Sequence, residues 1–166
     1  MVIWSLRNPR VIVASAWLFH AVSWFLPVVK LGGAHSDVFG PIRGWVAFRA
    51  ALSPIWPYEG VHADAWYYSV LSVASAAMTL LFIVGSPLIL WRGSRSVRRA
   101  CAWVAAGAFL VSSHWYVLFG ADRGTLSFGY FLWWFSFALL AAGLFWLSSE
   151  SYLLNRIWPK IPATNQ

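Results

Sequence analysis

Four histidines are the residues of this chain most capable of chemistry. His20 and His114 fall inside long apolar runs, while His35-Ser36-Asp37 and His62-Ala63-Asp64 repeat a His-x-Asp pattern outside them. Imidazole ligates haem and zinc and relays protons, so each pair is a candidate site. Counted from the basic ends of their runs, His20 is the tenth residue and His114 the fifteenth. At 1.5 Å per helical residue they differ in depth by about 8 Å, more than a bis-histidine haem favours. The two His-x-Asp pairs sit where a loop leaves and rejoins apolar sequence, so His35, Asp37, His62 and Asp64 together have the make-up of a four-ligand zinc-like site. The pattern is short, and a Pro- and Gly-rich loop has no disulfide to brace four ligands. The expectation is that none of the four histidines holds a metal or haem, and no catalytic, cofactor or metal residues are assigned.

The rest of the chemistry is defined by what is missing. Cys101 is the single cysteine, which excludes an intrachain disulfide and a dithiol relay. The apolar runs hold no Asp, Glu, Lys or Arg in their interiors. Ion-coupled transporters and proton pumps carry ionisable groups at membrane depth, and small multidrug exporters of four helices depend on an intramembrane Glu. Quinone-linked disulfide oxidases need cysteine pairs. These classes drop out. Ser69, Ser72, Ser75 and Thr79 recur at spacings of three, three and four, a stripe of small polar residues expected to face another helix. A substrate-lining role for the stripe is the rival reading. Gly107, Ser136 and Gly143 are further expected points of close helix contact.

The elements that must position these residues are set by composition. Hydrophobic residues make up 60% of the chain and charged residues 10%, well under the roughly 25% charged in soluble domains. A soluble fold of 166 residues could not bury so much apolar surface. Four apolar runs, about 11–29, 66–91, 100–119 and 130–147, each approach the roughly 20 residues that cross a bilayer as a helix. The second is long enough to tilt or to break near Pro87. The fold expected is all-α, a single domain of four transmembrane helices in one bundle.

Orientation follows from the basic residues. Arg7, Arg10, Arg92, Arg95, Arg98, Arg99, Arg156 and Lys160 fall on one side with Glu150, which accounts for the whole net charge of +7. Lys30, Arg43, Arg49 and Arg123 on the other side cancel against Asp37, Glu59, Asp64 and Asp122. Both termini and the 92–99 loop are therefore expected in the cytoplasm, and the 30–65 loop in the periplasm. Basic residues placed beside apolar runs argue against a nucleic-acid partner. Trp24, Trp66, Trp115 and Trp133 fall at expected outer ends, and Trp4, Trp91, Trp103 and Trp146 at inner ends, as interfacial belts require. The first run is longer than the core of a signal peptide and Lys30 interrupts it before Gly32 and Ala34, so it reads as a retained span.

Within the 30–65 loop, Pro41–Leu52 suits a short interfacial helix with Pro41 in its first turn, an apolar face bearing Trp45 and Phe48, and Arg49 snorkelling to phosphates. Phe25-Leu26-Pro27, Gly44-Trp45 with Phe48, and Gly129-Tyr130-Phe131-Leu132-Trp133 together resemble small uncharacterised four-helix inner-membrane proteins of bacteria. That resemblance implies the architecture and location and brings no activity with it.

The functional expectation is a non-enzymatic integral inner-membrane protein, an accessory or interaction protein acting through its periplasmic loop and helix surfaces. Its partners would be the lipid bilayer and a membrane protein or a second copy of itself. Immunity proteins against pore-forming toxins share this outline. The alternative is a metal- or haem-dependent membrane enzyme or electron carrier using His20, His114 or the His35/His62 pair. A subunit of an oligomeric transporter or channel is the second alternative.

Overall fold

The computed structural model describes residues 8–30, 41–57, 66–118 and 120–157. Helix α1 spans Pro9–Phe25. Asn8 caps it, its side chain accepting from the Arg10 N–H at 3.0 Å, and Pro9 occupies the first turn, where no donor is lost. The helix stops earlier than the expected run to Val29. Leu26 precedes Pro27, whose ring disfavours the helical region for the residue before it, and Leu26 is extended (φ −87°, ψ 153°).

Pro27–Val29 instead form strand β1, paired antiparallel with β2, Ile42–Arg43. On its other side Val29 bridges to Leu126, the Lys30 N–H donates to the Thr125 carbonyl at 2.7 Å, and the Ser127 N–H donates to the Val28 carbonyl at 2.9 Å. This small sheet departs from an all-α expectation. Extended backbone next to Pro27 exposes donors and acceptors that need partners outside its own segment, here β2, the start of α2 and residues 125–127.

Helix α2, Gly44–Ala51, follows β2 directly, so the helix expected over Pro41–Leu52 begins three residues later. Pro41 lies outside it and Arg43 is its extended N-cap (φ −81°, ψ 160°). Arg49 does not reach outward for phosphates. Its guanidinium donates to the Trp56 and Pro57 carbonyls at 2.7 and 2.9 Å and lies 4.0 Å over the Trp56 ring, clamping the turn after α2.

Three helices are long and apolar enough to cross a membrane: α3 (Trp66–Arg92), α4 (Arg95–Leu118) and the Phe128–Ser149 part of α5 (Phe128–Ile157). Helix α1, at 17 residues, is shorter. Helix α3 does not break at Pro87 but widens just before it into a π turn, Leu81–Gly85. Proline lacks an N–H and crowds the carbonyl four residues back, and a wider turn relieves both. Ser94 caps α4, and the helix steps at Ser113, whose N–H is shared between the Phe109 and Leu110 carbonyls.

Helix α5 is the hub, packed lengthwise against α1 on one flank and α4 on another. It runs antiparallel to both. Gly143 meets Val13 near one end of α1 and Gly129 meets Pro27 beyond the other, while Tyr130 reaches Ser112 and Trp103 meets Phe145 along α4. Ala102, Ala105 and Ala108 of α4 are buried at spacings of three, which lets the backbones approach. Gly107 does not share in this, since a Cβ there would meet nothing within 4 Å. The core joins these alanines to Val13, Ala16, Phe82, Phe137, Leu140 and Leu144.

Candidate functional site

Several small polar side chains lie in the interior. His20, Ser23, Ser75, Thr79, Ser86, Ser112 and Ser136 are buried, whereas Leu18, Val84, Leu110 and Phe135 are exposed on the helix surfaces. Single hydrogen bonds from aromatic or imidazole rings to these small groups lace the helices together. Trp17 Nε1 donates to Ser86 Oγ at 2.9 Å, joining α1 to α3. Trp133 Nε1 donates to Thr79 Oγ1 at 3.1 Å, joining α5 to α3. Tyr130 Oη and Trp134 Nε1 donate to the Ser112 and Phe109 carbonyls at 3.1 and 2.8 Å, joining α5 to α4.

His20 belongs to this lacing. Its Nδ1 lies 3.0 Å from Ser136 Oγ, its ring stacks on Phe82 at 4.1 Å and the edge of Phe137 meets it at 5.8 Å. Ser23, one turn on, turns away from the ring and donates to the His20 carbonyl at 2.6 Å. His114 is not beside His20 in this lattice of contacts. Its Nδ1 is bonded to the Val111 carbonyl of its own helix and its ring packs on Trp115. His35, Asp37, His62 and Asp64 lie outside the described residues. Among the described residues no group of three or more His, Cys, Asp or Glu side chains is placed to share a metal ion.

What the structure does assemble is a partly open cavity of about 410 Å³ at the β-sheet end of the helices. Its floor and one side come from Ser23 and Trp24 at the end of α1 and from Val28 and Val29 of β1. Ile42 and the inner face of α2, with Gly44, Ala47 and Phe48, cover it. Trp115, Leu126, Tyr130 and Trp133 close the far side. The α3 wall is Tyr68, Ser72, Ser75, Ala76 and Thr79. The stripe expected from the sequence thus faces inward, with Ser75 and Thr79 buried. It is completed by Tyr68 in place of Ser69, because spacings of four, three and four follow one helix face more closely.

The cavity exists because three chain segments meet at the Leu26–Pro27 backbone. The Gly44 N–H donates to the Leu26 carbonyl at 3.2 Å, and a Cβ on Gly129 would lie 2.5 Å from the Pro27 oxygen. A Cβ on Gly44 would collide with the Ser23 and Trp24 backbone. Only glycine lets both helices start this close to the extended segment. Trp24 then packs on Phe48 at 5.2 Å, joining the end of α1 to α2. Among the described residues none of the lining carries a charge, and these residues offer hydrophobic contact, aromatic faces and hydroxyl groups. Sequence reasoning located the stripe but missed the cavity. The signal available was Gly44 and Gly129, each opening an aromatic-rich segment. No family model, curated protein or solved structure is similar to this chain.

Proposed function

We propose that this chain is a non-enzymatic integral protein of a bacterial inner membrane that crosses the bilayer four times, with both termini cytoplasmic. It acts as an accessory or interaction protein through the α2 cap and its helix surfaces, with a membrane protein as partner. The observation that carries the reading is the inverted distribution of polarity, with hydroxyls and an imidazole inside and Leu, Val and Trp outside. Helix α3 places exposed Trp66 and Trp91 25 residues apart, about 38 Å along the axis, which suits belts at both faces of a 30 Å core. Arg92 lies over the Trp91 ring at 4.7 Å, at the end of α3 that carries the excess positive charge.

Helix α1 supplies the fourth span. Its 17 residues cover about 26 Å, it carries no charge between Arg10 and Phe25, and it packs lengthwise against α5. An immunity-type protein that meets its toxin in the membrane is one form of this function.

The test is spectroscopic and stoichiometric. Full-length protein purified in mild detergent should show no haem absorption and substoichiometric zinc and iron. A haem band or one metal per chain, lost on His20→Ala or His62→Ala, would replace this reading with a metalloprotein.

A further inference from the structure

We propose that the cavity under α2 binds an uncharged molecule drawn from the membrane, with a hydrocarbon body and a carbonyl oxygen that accepts a hydrogen bond from Ser75. The proposal rests on the membrane reading above. At about 410 Å³ the cavity falls within the range of small-molecule sites. The described lining is uncharged and could not compensate an ionised headgroup taken out of water.

Ser75 marks where the polar atom sits. Serines elsewhere in these helices close onto their own backbone: Ser23 onto His20, Ser86 onto Phe82, Ser113 onto Leu110, and Ser136 onto Trp133. Ser75 Oγ is buried without a partner among the described residues, on the wall of the cavity. Ser112 Oγ is also unpartnered but lies outside the cavity lining. A buried hydroxyl left unpaired is costly, and a ligand acceptor removes that cost. Ser75 lies nine residues into α3 from Trp66, about 14 Å along the helix. That is below the headgroup level marked by Trp66, so the bound oxygen belongs to a molecule soluble in hydrocarbon. Trp24, Trp115 and Trp133 supply flat apolar walls for its body.

The probe is a long-chain alkyl ketone bearing a diazirine, compared with the matching alkane diazirine, on full-length protein in phosphatidylcholine vesicles. The ketone should crosslink to peptides containing residues 42–54 and 72–79. Ala76→Phe, which fills the cavity, should abolish that label, and Leu110→Phe on the outer surface should leave it unchanged. Ser75→Ala should weaken ketone capture about three- to tenfold and leave alkane capture alone. Equal labelling in Ala76→Phe, label confined to outer helix surfaces, or a ketone signal indifferent to Ser75→Ala would overturn the proposal. Residues 31–40 or 58–65 filling the cavity would give no label there and overturn it equally. Mass spectrometry of what the native protein retains then separates a glycerolipid ester from an isoprenoid ketone. Capture at these peptides in a chain whose α2 proves cytoplasmic would refute the topology and leave the site standing.

Discussion

His20 and Ser136 fix each other's hydrogen-bonding roles across the contact between α1 and α5. Ser136 Oγ gives its one proton to the Trp133 carbonyl at 2.6 Å, so in the 3.0 Å contact it accepts and His20 Nδ1–H donates. The neutral ring therefore carries its lone pair on Nε2, which is buried without a partner among the described residues. Phe82, from the π turn of α3, covers one face of the ring. One imidazole thus joins three helices.

That arrangement predicts a tautomer and a coupling. Nitrogen-15 spectra of histidine-labelled protein should show His20 protonated at Nδ1, and a signal protonated at Nε2 would contradict it. A double-mutant cycle of His20→Phe and Ser136→Ala should give a coupling of about 0.6 kcal/mol, the average for hydrogen bonds between membrane helices, and no more than about 1.7 kcal/mol. Strictly additive losses would place the contact outside the stabilising network.

Two glycine substitutions should behave oppositely. Gly129→Ala puts a Cβ 2.5 Å from the Pro27 oxygen, against backbone that cannot move aside without disturbing β1, and should cost about 1–3 kcal/mol in resistance to denaturant. Gly107→Ala meets nothing within 4 Å and should be neutral or stabilising by up to about 1 kcal/mol, the difference in helix propensity. Equal effects at the two positions would show that α5 does not start against Pro27.

Arg49→Gln should loosen the turn after α2. It removes donors to the Trp56 and Pro57 carbonyls and the stacking on Trp56. Hydrogen exchange over residues 52–57 should speed up, while the protection of α5 stays unchanged. Unchanged exchange in that turn would mean that α2 and its C-cap hold the turn without Arg49.

The parts of this fold that were legible from sequence are those governed by local composition. The 66–91 run matches α3 to within a residue, because a long uncharged run leaves little choice of start and stop. The 11–29 run overshot because hydropathy does not register that Pro27 makes Leu26 extended. The 130–147 run fell short of Ile157, since the helix continues beyond its apolar part. The strands were invisible, being two or three residues long with partners up to about 100 positions away. The serine stripe was legible as a pattern, but its neighbours are not: Trp133 lies 54 residues from Thr79, and Ser136 lies 116 from His20. The His35/His62 question falls on residues outside those described.

Four spans with α2 on the outer face and the Arg92–Arg99 loop inside is the central claim, and thiol accessibility tests it most directly. In a Cys101→Ser background, Trp56→Cys and Ser94→Cys each carry a single thiol, one in the turn after α2 and one at the cap of α4. In intact cells with a permeabilised outer membrane, an impermeant maleimide should label the thiol at position 56 at once and the one at position 94 only after the inner membrane is opened. Both thiols labelling from the same side would mean that α3 does not cross the membrane, and the four-span account would fail.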